Sequence, residues 1–374
     1  MRYLIPLLLF ALPAAAAPRA VVLASIDGAA ARRGPIEAQR GQTVTLYPAV
    51  RRGGRWFTSA PKVRGVSKRK LRALADLGPD LRISWRLVEP TPHHVETPPP
   101  NFGNPAYSNA VLFGRRHGTW LGYDTLEYEQ REVAQSPSLV VKQAQPTHPK
   151  LVAQSRGLGT VRYSVALTAG AKAWASPGPE AVAQGGISPR VFRISYRGAD
   201  DLVGWLESLY NVPNVFGSAG KGRAHQTDRH QGADCADVIV GAARKAGARI
   251  DYTSVSGLYR ETTPRSERLF LDQDGLHRIE ADGSHTPVVL RWGKDVQRGD
   301  LMLIKYKVAD FTGRKWDHIG VLGDDAGTVG AFDVADPVLH IGYLYGLVSE
   351  TAGSHGPAVV QFSRFKRRHQ RALR

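Results

Sequence analysis

Cysteine occurs once in the 374 residues, at Cys235 in the run Gly232-Ala233-Asp234-Cys235-Ala236-Asp237. A lone thiol cannot close an internal disulfide, which leaves a small buried hydrophobe or a reactive group as its role. Its position favours reactivity. A thiol in the first turn of a helix faces unpaired backbone N–H groups and the positive end of the dipole, which favour thiolate and lower the pKa. Such a nucleophile also needs a base. His318 offers one, on the apolar strand Trp316-Asp317-His318-Ile319-Gly320-Val321-Leu322-Gly323. A turn near Asp325 and Ala326 would set residue 318 opposite 332 or 333 on a returning strand over 328–334. Asp333 then becomes the partner that orients the imidazole. Asp336 and His340 stand in reserve for that third place. The chemistry of the set, in the order Cys, His, Asp, is acyl transfer through a thiol.

These groups need a helix start and a strand to hold them. Asp234 suits the N-cap, and positions 235, 238, 239, 242, 243 and 246 form an apolar stripe. Arg244 and Lys245 suit the last turn, and Gly247 the stop. An earlier helix opens at Asp200 and Asp201 and carries Leu202, Trp205 and Leu209. Before residue 198 the pattern is of strands with Pro and Gly punctuation. The clearest is 160–168, where Val161, Tyr163, Val165 and Leu167 alternate with Arg162, Ser164 and Ala166. Further strands are expected over 44–47, 81–87, 111–113 and 191–196, one short helix over 68–77, and irregular loops over 90–105 and 135–149. Residues 17–198 therefore predict an all-β domain, a sandwich or small barrel. Between Arg260 and Asp295, the turn signals Asp274-Gly275 and Asp282-Gly283 flank 276–281 and predict an extra hairpin near the cleft.

The N-terminus carries an export signal over residues 1–16. Arg2 is its basic flank, 4–12 its apolar core and the alanines 14–16 its cleavage site. No later apolar run approaches the roughly 18 to 20 residues a spanning helix needs, so a secreted or periplasmic product without a transmembrane segment is expected. The net charge of +17 would draw such a protein to anionic envelope polymers through salt-sensitive forces. Residues 351–374, with Arg364-Phe365-Lys366-Arg367-Arg368, read as a basic tail. Two histidine groups raise the question of a metal. His93, His94 and Glu96 lack the helical spacing of a ligand pair, and His225, Asp228 and His230 do not repeat one either, so no metal or other cofactor is expected.

Over residues 199–345 the chain resembles the NlpC-type bacterial cell-wall cysteine peptidases, a papain-like family. The landmarks that carry the resemblance come in order. Leu209-Tyr210-Asn211-Val212-Pro213-Asn214-Val215-Phe216-Gly217-Ser218 resembles the loop leading to the nucleophile, and Asp234-Cys235 with its Ala-rich helix resembles the nucleophile segment. Tyr252-Thr253-Ser254-Val255-Ser256-Gly257-Leu258-Tyr259 resembles the stretch that follows. Gln297-Arg298-Gly299-Asp300-Leu301-Met302 and Asp317-His318-Ile319-Gly320-Val321 resemble the strands around the base. The resemblance implies an α+β papain-like catalytic domain over 199–350, with peptidoglycan stem peptides as substrate and Asn214, Phe216, Asp234 and Ser254 near the substrate. The chain departs from the family where Ala236-Asp237 replaces Ser-Gly and where Asn214 replaces an aromatic residue. The expected function is an exported cysteine hydrolase with peptidoglycan or another anionic envelope polymer, not nucleic acid, as partner. A transglutaminase-like or deamidase enzyme and a noncatalytic wall-binding protein are the alternatives.

Overall fold

The computed structural model describes residues 19–93, 125–147, 154–308, 315–342 and 346–373. The expected export signal, the expected 111–113 strand and the side chains of His93, His94 and Glu96 lie outside them. The first half holds β1 (Ala20–Ile26), β2 (Ile36–Gln39), β3 (Val44–Arg52), β4 (Arg55–Thr58), β5 (Leu71–Arg72), β6 (Arg82–His93) and β7 (Thr125–Ala134). It continues with β8 (Leu139–Val141), β9 (Gly159–Ala169), β10 (Lys172–Ala175), β11 (Val182–Ala183), β12 (Gly186–Ile187) and β13 (Phe192–Arg197). The second half begins with α1 (Leu202–Glu207), α2 (Cys235–Lys245) and α3 (Val255–Tyr259). Then come β14 (Thr262–Pro264), β15 (Leu269–Asp272), β16 (Gly275–Ile279), β17 (His285–Pro287), β18 (Leu301–Lys305), β19 (His318–Leu322), β20 (Pro337–Gly342), β21 (Gly346–Thr351), β22 (Ala358–Phe365) and α4 (Arg367–Leu373).

In the first half, β1-β3-β4-β5 with β8 on β3 make one sheet, and β2-β13-β9-β6-β7 with β10 on β9 make another. Alternation along β9 sends Val161, Tyr163, Val165 and Leu167 into a core shared with Leu46 and Val44 of the other sheet. On the opposite face Thr160, Arg162 and Ser164 are buried as well, and the segment before α2 covers part of it: Arg162 donates to the His230 carbonyl and Thr160 Oγ1 meets His230 Nδ1 at 2.9 Å. Residues 68–77 do not form one helix. Ala73 is extended, so two 3-10 turns, Lys68–Lys70 and Leu74–Leu77, flank β5 instead.

The second half corrects the expected α+β papain-like domain. The chain is mostly strand in several sheets, and the papain-like architecture is absent. The second half is built on a nine-stranded antiparallel sheet in the order β17-β16-β15-β22-β18-β19-β20-β21, with β14 on β22. Its helices are few and short among the described residues, and only α2 exceeds two turns. The supposed tail supplies β22, which lies between β15 and β18. Arg364 is held there by two bonds to Asp300, at 2.7 and 2.8 Å. The extra hairpin forms as β15-β16-β17, with Asp272 opposite Gly275, but it sits at the edge away from β19. Among the described residues, no helix is long and apolar enough to cross a membrane.

Helix α2 joins the halves. Every residue from Ala236 to Ala243 is buried, because the helix packs against α1, α3, β19 and β20. At its end Lys245 reaches Glu37 of β2 at 2.6 Å, where Arg193 of β13 also pairs at 2.7 Å. Residues of both halves, from Val161 to Ile239 and Leu303, belong to one hydrophobic cluster.

Candidate active site

Cys235 opens α2 as its first residue. Asp234 is the N-cap, and its Oδ1 accepts the backbone N–H groups of Ala236 at 3.0 Å and Asp237 at 2.8 Å. A parallel bridge fixes this start against the preceding loop: Val215 N–H donates to Ala233 O at 2.9 Å and Ala233 N–H to Pro213 O at 3.1 Å. The loop in turn lies against Gly346 at the head of β21. There φ is +75°, and a Cβ would overlap the Val212 carbonyl oxygen, so the close approach needs glycine.

The half-buried thiol opens into a cleft of about 410 Å³ whose lining includes Asn214, Phe216, Asp234, Tyr306, His318 and His340. His318 begins β19. The returning strand is β20, reached through the loop 323–336, and it pairs Val321 with Leu339 and Leu322 with Val338. Continued to its end, that register sets 318 opposite 342, so His340 is the diagonal neighbour on the same face. The rings meet with His318 Nε2 and His340 Nδ1 at 2.9 Å, and His340 Nε2 lies 3.2 Å from Glu350 Oε2 of β21.

Hydrogen-bonding capacity orders the protons in this chain. The Glu350 carboxyl is held below its ordinary pKa, first by its bond to His340, so it only accepts. His340 Nε2 then carries hydrogen and Nδ1 is the acceptor, which makes His318 Nε2 the donor. His318 Nδ1 is left with a free lone pair, as a general base requires. Burial, with the charges of His340 and His355, lowers the His318 pKa to about 3. Burial and the carboxylates of Asp234 and Asp237 raise that of the thiol, against only the N–H groups of Ala236 and Cys235. The expected thiolate at the helix start is therefore not the resting state. Thiol and imidazole rest as a neutral pair, because desolvation and two adjacent acids outweigh the helix end.

The other expected residues divide. Asn214, Phe216 and Asp234 line the cleft, and Asn214 Nδ2 donates to Gly342 O at 3.4 Å. Ser254 does not line it. Its Oγ caps α3, accepting from Gly257 N at 3.3 Å. Asp333 and Asp336 are likewise displaced from the site, since their carboxylates organise the loop before β20. Asp333 Oδ2 accepts from Thr328 N at 2.6 Å and its Oδ1 from Ala335 N at 2.8 Å. Asp336 accepts from Ala326 N at 2.9 Å, Gly327 N at 3.2 Å and Asp333 N at 2.9 Å. The residue that meets the His318 ring is the reserve one, His340. The group His225, Asp228 and His230 does not converge. His225 lies 3.6 Å from Asp237, Asp228 accepts from Tyr252 Oη at 3.1 Å, and His230 faces Thr160.

Sequence reasoning missed Tyr306, Glu350 and His355. Tyr306 lines the cleft, and its hydroxyl lies 3.3 Å from His355 Nδ1. The His355 ring stands 4.5 Å from that of His340, centroid to centroid, and burial lowers its pKa to about 4. Both Glu350 and His355 fall where one domain was expected to end and a tail to begin, so nothing in that reading asked for them. Asp237 was noticed only as a departure from the family pattern. Its Oδ2 accepts from Ser218 Oγ at 2.5 Å, and burial raises its pKa well above the ordinary value. Burial also raises that of Asp234, to about 6.

Compared with protein-family models, curated proteins and solved structures, the chain matches none.

Proposed function

We propose that the protein is an exported cysteine hydrolase that cleaves amide bonds in peptidoglycan stem peptides. The observation that carries this reading is one cleft lined by a helix-start thiol and by His318, whose far nitrogen is ordered by His340 and Glu350. Cys235 Sγ attacks the carbonyl carbon while its proton passes to His318 Nδ1, since the neutral resting pair calls for transfer as the S–C bond forms. The imidazolium donates from Nε2 to His340, whose own N–H is held by Glu350. Its Nδ1 proton then goes to the leaving amine, and water hydrolyses the thioester. The Cys235 backbone N–H at the head of α2 is a candidate oxyanion donor. No cofactor takes part in this scheme.

The substrate class rests on the ordered resemblance over 199–345, the export signal and the charge of +17, which suit work on an anionic envelope polymer. The resemblance is to segments around the site and does not extend to a papain-like fold. Digestion of purified sacculi with the mature protein, followed by mass spectrometry of the soluble fragments, tests the reading. Stem-peptide fragments with new amine and carboxyl ends are expected from the native protein and not from Cys235→Ala. Ammonia without fragments would make the enzyme a deamidase. Sedimentation with sacculi without any Cys235-dependent product would leave a wall-binding protein.

A further inference from the structure

Behind His318 lies a second constellation that the hydrolytic scheme uses only in part. His340, Glu350 and His355 offer ligand atoms, one from each, that lie within 4.8 Å of one another. Both histidines are buried, each 5 % exposed, whereas the Glu350 side chain is 46 % exposed and opens the group to solvent. His340 Nε2 and Glu350 Oε2 stand 3.2 Å apart. Zinc bonds of about 2.0 to 2.2 Å in a tetrahedron set neighbouring ligand atoms roughly 3.3 to 3.5 Å apart, so this pair is already at ligand spacing. His355 gives its Nδ1 to Tyr306 at 3.3 Å. Its Nε2 is buried and has no hydrogen-bond partner among the described residues. A buried imidazole nitrogen without a partner needs explaining, and an ion shared with the neighbouring His–Glu pair supplies one.

We propose that His340 Nε2, Glu350 and His355 Nε2 bind a divalent transition ion, of which zinc is the best match, and that the ion switches off the thiol site. Two imidazoles and a carboxylate are a borderline-soft donor set of the kind zinc takes, and solvent beside Glu350 provides the fourth ligand. The switch follows from proton positions. In the active network His340 carries its hydrogen on Nε2 and accepts from His318 through Nδ1. An ion on His340 Nε2 displaces that hydrogen, so neutral His340 must carry one on Nδ1 and donate it to His318 Nε2. His318 then holds its proton on Nδ1, the nitrogen needed as base, and the number of protons over the two rings is unchanged. His318 in this tautomer cannot accept from Cys235.

The switching half of the proposal rests on the hydrolase reading, but the binding half does not. The metal-free full-length chain is titrated with Co²⁺, whose visible bands report a tetrahedral site and whose near-ultraviolet thiolate band reports ligation by sulfur. Zn²⁺ is then used to displace the cobalt. One ion per chain is expected, without a thiolate band, in native protein and Cys235→Ala alike. Affinity should fall at least about tenfold in both Glu350→Gln and His355→Gln, since even outer-shell partners are worth that much. Glu350 is partly exposed, so its variant keeps the test valid should His355→Gln not fold. No binding by the native chain, binding that survives Glu350→Gln unchanged, or binding lost in Cys235→Ala would each overturn the site. Sacculus digestion that stops with zinc and resumes with a chelator supports the switch, and digestion that continues with the site filled refutes it. If the metal-free protein digests nothing, the hydrolase reading fails while the cobalt titration still decides the site.

Discussion

Replacing His340 tests the site assignment most directly, because the expected third residue, Asp333, provides an internal control. In His340→Ala, His318 Nε2 loses the acceptor that stands at 2.9 Å. In the resting state the cost is that of a neutral hydrogen bond, but in the transition state His318 is an imidazolium and the bond becomes charge-assisted, worth about 1.5 to 3 kcal/mol. At about 1.4 kcal/mol per decade of rate, kcat should fall roughly 10- to 150-fold. His340→Gln restores an acceptor oxygen and should recover part of the loss. Asp333→Asn should stay within roughly twofold of native turnover, because that carboxylate holds loop N–H groups and not the imidazole. Single-turnover cleavage of isolated stem peptides gives the rates, and thermal melting shows that each variant is folded. A His340→Ala enzyme within twofold of native, or a loss of tens-fold confined to Asp333→Asn, would refute the relay.

Alkylation of Cys235 by iodoacetamide should rise with pH only above about 8.5, the ordinary thiol value, because burial, Asp234 and Asp237 hold the thiol protonated. Asp237→Asn should move the rise to lower pH, and a native rate already on its plateau at neutral pH would contradict the neutral resting pair. The raised Asp234 carboxyl has the opposite sign from a salt-bridged acid. The folded state binds more protons between 3.8 and about 6, so stability falls as pH rises through that window. Urea unfolding of the native chain should show that fall relative to Asp234→Asn, and parallel curves would place the carboxyl at its ordinary value. Arg364→Ala leaves the buried Asp300 carboxylate without its partner and should cost about 3 to 5 kcal/mol. A change in denaturation below about 1 kcal/mol, as for a surface pair, would return residues 358–365 to the status of a tail.

Local signals were legible wherever one element carried its own start and stop. Helix α2 begins at Cys235 under an Asp234 cap and ends before Gly247, where φ is +107°, as the cap, stripe and stop residues predicted. The β15-β16 turn at Asp274-Gly275 was read from the same kind of signal. Non-local pairing was not legible. Residues 358–365 are largely apolar and alternate weakly, and nothing in their own pattern says that this strand enters between β15 and β18, whose paired residues lie about 90 positions earlier in one case and about 60 in the other. Once that strand is placed, the second half becomes a broad sheet and the expectation of an α+β papain-like domain fails. The buried polar face of β9 was hidden for a related reason. Arg162 looks like a solvent position until a segment some 70 residues downstream covers it.

The site shows the same division between local and distant information. Cys235 and His318 could be found from their own neighbourhoods, one at a helix start and one on an apolar strand. The third residue required the turn between strands, and the turn was misread because Asp325, Asp333 and Asp336 look alike as loop acids. Their carboxylates accept backbone N–H groups from 328, 330, 333 and 335, so they lengthen the loop and move the start of β20 to Pro337. A returning strand that begins nine residues later than expected brings a histidine, not an aspartate, beside His318. The substitution of base for acid changes the chemistry as well as the name of the residue. An aspartate would hold the imidazole with a fixed negative charge, whereas His340 must itself be oriented, and only Glu350 on the next strand gives it one tautomer. The ordering of the His318 ring thus depends on a partly exposed carboxylate two strands away, so under the proposed hydrolase reading proton position there, and not charge at the nucleophile, is the quantity on which turnover by Cys235 would depend.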